Sequence, residues 1–311
     1  MVFWQLLLLA LGFVLLVKGA DWFVEGASGI ADKFGIPQLV IGLTIVAMGT
    51  SAPETAVSIT AALKGNADIA VGNVVGSNIL NVLIILGISS VITPIAVAKT
   101  TVRYEIPIML AMTLLLLVFG VNGGTICLWE GIVLLLCFIG YLGYMFVMVK
   151  KGLMQAEEMD SEQKPLWKLL LAGVVGLGLI IAGSNVTVDA ATALAKIFGM
   201  SEKFIGLTVV ALGTSLPELF TSVVAARKGK ADIAIGNIVG SNIFNILFVI
   251  GTSSLIIPVI FEMSFVVDCL VAAAAGLLLW LCVFRKKKLN RIDGIIMLVG
   301  YAAYFAYLLI K

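Results

Sequence analysis

Two glutamates, Glu54 and Glu218, stand in apolar sequence with nothing basic close by. Each closes the same short motif: Gly49-Thr50-Ser51-Ala52-Pro53-Glu54 in the first half of the chain and Gly213-Thr214-Ser215-Leu216-Pro217-Glu218 in the second. Proline lacks an N–H, and its ring clashes with the carbonyl four residues back. A helix should therefore bend or unwind at each motif and free carbonyl oxygens near Ala47 and Gly49, and near Ala211 and Gly213. Thr50 and Glu54 are four apart, as are Thr214 and Glu218, so each pair shares a helix face. A second segment, Gly72-Asn73-Val74-Val75-Gly76-Ser77-Asn78-Ile79-Leu80-Asn81, recurs as Gly236-Asn237-Ile238-Val239-Gly240-Ser241-Asn242-Ile243-Phe244-Asn245. It sets Ser77 with Asn81, and Ser241 with Asn245, on common faces. The same serines and asparagines also suit hydrogen bonding between helices, and Gly72, Gly76, Gly236 and Gly240 suit close helix approach.

These groups supply carboxylate, hydroxyl, amide and carbonyl oxygens, with no nitrogen or sulfur ligand among them. Such sets suit hard cations, and flexible carboxylate-bearing ones suit calcium better than magnesium. Two carboxylates neutralise one Ca2+ or two monovalent ions, so either load leaves little residual charge. The chain has no histidine, which removes the usual general base and the commonest metal ligand. Its four cysteines, Cys127, Cys137, Cys269 and Cys282, lie singly in apolar runs and read as small buried hydrophobes.

The elements that position these groups are membrane helices. Of 311 residues, 61% are hydrophobic and 12% charged, with a mean hydropathy of +1.15. A soluble fold has too little interior for that surplus. A span needs roughly 20 mostly apolar residues. Such stretches begin near residues 2, 38, 68, 104, 126, 166, 203, 232, 264 and 292, which gives an all-α membrane protein of about ten helices. The first, Val2 to Val17, lacks a basic leader and a clear cleavage site, so it reads as a span rather than a signal peptide.

An internal repeat organises the chain. Ile41 to Glu54 matches Ile205 to Glu218 at 11 of 14 positions, and Ala67 to Asn81 matches Ala231 to Asn245 at 12 of 15, both at an offset of 164. The expected division is residues 1–149, a linker at 150–165, and residues 166–311. Five spans per half is an odd number, so the second half should enter the membrane in the opposite sense. That is the build of secondary transporters, with the site where the repeats meet. With the N-terminus outside, 15 lysines and arginines face inward and four outward, with Lys18 ambiguous. The positive-inside rule therefore places both termini outside and the central loop in the cytoplasm of a multi-pass cell-membrane protein. The Arg285–Lys288 cluster reads as a stop-transfer anchor, and acidic Glu157 to Glu162 as a solvated loop.

At the two motifs the chain resembles the cation/calcium antiporter superfamily, in particular its prokaryotic Na+/Ca2+ exchanger branch, over essentially its whole length. The resemblance implies a secondary antiporter working by alternating access, its first and sixth spans sliding against a core of signature helices. It implies a calcium site of Glu54, Glu218 and the Thr50 and Thr214 carbonyls. Sodium would use Ser51, Ser77, Ser215, Ser241 and the carbonyls of Ala47 and Ala211, with Asn81 and Asn245 lining the cluster. Potassium-dependent relatives carry aspartate where this chain has Asn245, so the resemblance gives no support for potassium dependence. The proton-coupled signature G-N-A-x-E is also absent, yet a carboxylate that binds sodium can take a proton, and Ca2+/H+ exchange is the alternative.

No cofactor is implied beyond the transported Ca2+ and Na+. The only expected partner is the lipid bilayer, with no nucleic acid at a net charge of +2 and no obligatory protein partner. An intramembrane enzyme would need a base to activate Ser51 or Ser215, and none lies near. A channel with a glutamate ring usually gains it by oligomerisation rather than by an inverted repeat.

Overall fold

The computed structural model describes residues 2–152, 164–200 and 211–310. It is a bundle of helices: α1 (Val2–Phe34), α2 (Gln38–Thr50), α3 (Ala52–Leu63), α4 (Asp68–Ile92), α5 (Thr101–Val121), α6 (Leu128–Lys150), α7 (Leu166–Ile197), α8 (Ala211–Thr214), α9 (Leu216–Arg227), α10 (Ala231–Ile256), α11 (Ser264–Lys286) and α12 (Arg291–Ile310). Among the described residues eight helices are long and apolar enough to cross a membrane, and α2 with α3, bent by 49° at their junction, make a ninth span. The start of the expected seventh span, residue 203, lies outside the described residues, as does Glu157 to Glu162.

Burial sorts the helices into a centre and a rim. In α10 and α4 the most apolar 18-residue windows are 94% and 72% buried, against 17–33% for the other long helices. The glycine- and asparagine-rich repeats therefore form the middle of the bundle, where small residues admit close neighbours. Outer helices turn leucine, valine and phenylalanine outward, as lipid-facing surfaces must.

Two short ribbons tie the halves together. β1 (Ile95–Ala96) pairs antiparallel with β4 (Lys288–Leu289), and β2 (Thr125–Ile126) pairs antiparallel with β3 (Val259–Ile260). β1 precedes α5 and β2 follows it, so the ribbons sit at opposite ends of that helix. Ile95 and Val259, 164 apart, thus lie at opposite ends of the bundle.

α1 continues as one helix through Lys18 to Phe34, well past the apolar run. Its second half is carried by a seam of glycines against α7, where the two helices cross antiparallel. A Cβ on Gly19 would stand 2.8 Å from the Gly176 carbonyl and from Ile180 N; one on Gly26 would stand 2.6 Å from Gly173 N. On the facing helix a Cβ on Gly176 would meet Phe23 N at 2.5 Å, whereas one on Gly178 meets nothing within 4 Å. The four cysteines are free; Cys269 is buried and the other three are half-buried, more open than their apolar settings suggest.

The seam predicts a contrast within α7. Gly176→Ala, like Gly26→Ala in α1, should destabilise by about 1–3 kcal/mol because backbone must move. Gly178→Ala should be neutral or stabilise by up to about 1 kcal/mol through helix propensity. Thermal unfolding of the detergent-solubilised protein reads both, and equal effects at the two α7 positions would contradict the seam.

Candidate functional site

The two proline motifs interrupt their helices as expected. α2 ends at Ser51, whose ψ of 11° leaves the helical range, and α3 starts with Pro53 in its first turn. Ser215 repeats the break with φ −92° and ψ 4°, and Pro217 lies in the first turn of α9. Proline is tolerated there because first-turn N–H groups have no helical partner. Glu54 and Glu218 consequently occupy first turns, where the helix dipole favours a negative charge.

Both carboxylates are completely buried. Each is held by a serine from the other half: Ser51 Oγ donates to Glu218 Oε1 at 2.9 Å, and Ser215 Oγ to Glu54 Oε1 at 3.3 Å. Ser77 Oγ adds a 3.4 Å bond to Glu54 Oε1 and lies 3.2 Å from Ser215 Oγ. The two glutamates are thus tied reciprocally, each to the serine of the other's helix break, and they lie within electrostatic reach of each other. No described lysine or arginine pairs with either one. Glu54 Oε2 and Glu218 Oε2 are buried with no hydrogen-bond partner, and so are Asn81 Oδ1 and Asn245 Oδ1. These four oxygens form two pairs of equivalent positions, and all four accept rather than donate. Leaving such acceptors unsatisfied in hydrocarbon is costly, so a cation fits this donor set. Among the described residues there is no group of three or more acidic, cysteine or histidine ligands, so neutral oxygens must complete any coordination.

Behind the carboxylates the asparagines form two kinds of support. Asn73 Nδ2 donates to the Glu54 carbonyl (3.1 Å) and Ser58 Oγ (2.9 Å), and Asn237 Nδ2 does the same for Glu218 (3.4 Å) and Ser222 (2.9 Å). These bonds fix the first turns that carry the acids. Thr50 Oγ1 donates across the halves to Asn237 Oδ1 at 3.0 Å. At the centre Asn78 and Asn242 clasp one another: each Nδ2 donates to the other's backbone carbonyl at 3.2 Å. Asn81 Nδ2 then reaches Asn242 Oδ1 (2.9 Å), and Asn245 Nδ2 reaches Asn78 Oδ1 (3.2 Å). Asn81 and Asn245 each open a π-helical turn, Asn81–Leu86 and Asn245–Ile250, a distortion frequent at functional sites.

The structure brings together Glu54, Glu218, Thr50, Ser51, Ser215, Ser77, Ser241, Asn81, Asn245 and Ala47, all buried. Ser241 Oγ meets the Ala47 carbonyl at 3.3 Å. Thr214 is half-buried and faces a cavity instead, while Ala211 is the first described residue of α8 and its side chain lies outside the described residues. The freed carbonyls are less free than proline chemistry alone implies. Ala47 O accepts from Ser51 N at 3.0 Å, and Gly213 O accepts from Ser184 Oγ at 2.7 Å. Ser58, Ser222 and Ser184 were not foreseen; the first two are identical residues at the repeat offset of 164, a signal available had the motifs been extended. Glu105, buried and bound by Tyr144 Oη at 2.6 Å, is a further membrane carboxylate outside the cluster.

The clasp makes a symmetric prediction. Asn78→Ala and Asn242→Ala each remove hydrogen bonds between the halves and leave one buried asparagine amide, Asn245 Nδ2 or Asn81 Nδ2, without its acceptor, and should destabilise by similar amounts of about 1–3 kcal/mol. Chemical unfolding in detergent measures both; a neutral result for either would remove the clasp as a structural element.

Comparison with known proteins gives a consistent result. The family model described as "Sodium/calcium exchanger protein" matches residues 4–147 and 168–310. The sodium/calcium exchanger MaX1 of Methanosarcina acetivorans is 34% identical, covering 97% of both chains. The inner membrane protein YrbG of Escherichia coli is 38% identical over 97% of this chain and 95% of its own. A solved structure of the sodium-calcium exchanger NCX_Mj, soaked with Na+ and Sr2+, superimposes with a TM-score of 0.85 at 34% identity, covering 98% of this chain and 99% of that one. With matches spanning both halves and the helical bundle in common, the chain is a multi-pass membrane protein that belongs to the sodium/calcium exchanger family.

Proposed function

We propose that the protein is a secondary active antiporter that exchanges Na+ for Ca2+ by alternating access, with the cluster around Glu54 and Glu218 as its ion site. The observation that carries this reading is the set of four buried, unpartnered oxygens on Glu54, Glu218, Asn81 and Asn245, with no basic residue beside the acids. Ca2+ cancels both charges at once, and so do two Na+. Either exchange avoids leaving a bare carboxylate pair in a dry interior. Hydroxyls of Ser51, Ser77, Ser215 and Ser241, and carbonyls of Thr50, Thr214, Ala47 and Ala211, complete the oxygen set.

In this reading the halves 1–149 and 166–311, joined by residues 150–165, form an inverted repeat. The placement of Ile95 and Val259 at opposite ends of the bundle supports it. So do the reciprocal bonds between halves, in which each serine of a break holds the glutamate of the other. Basic residues place the central loop in the cytoplasm and both termini outside. The chain needs no cofactor and no protein partner for transport, only a bilayer and two ion gradients.

The test is 45Ca2+ uptake into Na+-loaded proteoliposomes, beside vesicles that carry only a pH gradient. Uptake should require internal Na+ and ignore the pH gradient. In Glu54→Gln or Glu218→Gln it should fall at least a hundredfold, since breaking a buried charge pair costs about 3–5 kcal/mol. Uptake driven by the pH gradient alone would assign the second ion as H+. Uptake surviving both substitutions would displace the site.

A further inference from the structure

A cavity adjoins the helix breaks of the central cluster. Pro53 and Thr214 line a cavity of about 580 Å3 together with Ser184, Asn185 and Asp189 of α7. Their counterparts in the other half, Pro217 and Thr50, are buried. The cavity thus reaches the two helix breaks that hold the glutamates. Asp189, 23 residues into α7, lies about 35 Å along that helix from the central-loop end, which sets the mouth on the opposite face.

Asp189 is the one charged side chain among the described lining residues, it is exposed, and no described residue forms an ion pair with it. Positions 164 earlier than Asn185 and Asp189 hold Asp21 and Glu25 of α1, and both are ion-paired, with 38% of each side chain exposed. Lys228 Nζ lies 2.5 Å from Asp21 Oδ1 and donates to the Asp21 carbonyl at 3.0 Å, while Lys164 pairs with Glu25. The residue equivalent to Lys228 is Lys64, exposed and without such a partner. At the central-loop end lysines therefore neutralise the acids, and at the cavity end Asp189 has no ion-pair partner among the described residues. A bare carboxylate at the mouth of a low-dielectric cavity focuses the field and raises the local cation concentration.

We propose that Asp189, with the Asn185 amide oxygen beside it, is a cation-gathering station at the open mouth, from which ions pass along the cavity to the central site. The inference rests on the cation-transport reading above. Asp189 is not among the groups that hydrogen-bond the Glu54 and Glu218 carboxylates, so it governs capture and leaves the transport step alone.

The experiment measures Ca2+ uptake with Ca2+ presented at the face opposite the central loop. Asp189→Asn should raise the apparent KM roughly tenfold at low ionic strength, with an unchanged maximal rate. The difference should shrink at about 0.5 M choline chloride, where the Debye length is only a few ångströms. Asp189→Glu should restore the wild-type KM. A second readout needs no transport: Asn185→Cys should react faster with a cationic than with an anionic methanethiosulfonate, and Asp189→Asn should abolish that preference. An unchanged KM with an unchanged reagent preference would overturn the gathering station while leaving the antiporter reading intact. Loss of the preference in a protein that shows no Na+-driven Ca2+ uptake would uphold the station and overturn the assignment of its cargo.

Discussion

Two carboxylates, Glu54 and Glu218, lie fully buried at helix breaks in the middle of a membrane bundle, and no described lysine or arginine pairs with them. Charge in such a place needs compensation, and the structure supplies only part of it. Helix dipoles act at the first turns of α3 and α9, and serine hydroxyls donate from the opposite half. One oxygen of each acid is left without a partner. In the proposed function a bound cation supplies the rest of the compensation, which accounts for the surrounding residues being oxygen donors rather than ion-pairing bases.

The scaffold follows from the need to hold two such breaks face to face. Broken helices are stable at membrane depth only when their loose ends are satisfied by protein. Asn73 and Asn237 take the glutamate carbonyls, Ser184 takes the Gly213 carbonyl, and the Asn78–Asn242 clasp fixes the halves against each other. These bonds demand close helix approach, which Gly236 and Gly240 of α10 allow against the backbone of α2. In α4 a Cβ on Gly72 would make only ordinary contact with Phe265 and one on Gly76 would meet nothing within 4 Å, so the expected close approach does not occur there. The α1–α7 seam is built differently, with backbone against backbone and few polar groups. Weak lateral bonding is compatible with the sliding of these two helices against a hydrogen-bonded core that the proposed alternating access requires.

Much of this was legible in the residues, because the duplication reports each important position twice. Pro53 and Pro217 locate the breaks, and Ser77, Asn81, Ser241 and Asn245 fall where helical spacing puts them. What escaped was tertiary. Ser184 caps Gly213, but its counterpart 164 residues earlier is Ala20, so the repeat carries no trace of that bond. The π-helical turns begin in Asn-Val-Leu-Ile-Ile-Leu and Asn-Ile-Leu-Phe-Val-Ile, sequences that favour an ordinary helix equally well. α1 extends to Phe34 because its charged second half finds ion-pair partners and a glycine seam, neither of which local hydropathy registers.

The most direct test of the central claim is anomalous diffraction from crystals soaked in Sr2+, an electron-rich stand-in for Ca2+. The account predicts one strong peak bonded to carboxylate oxygens of both Glu54 and Glu218, at about 2.3–2.6 Å as for Ca2+, and its disappearance in Glu54→Gln crystals. A Sr2+ peak held elsewhere in the bundle, with both glutamates left uncoordinated, would contradict it.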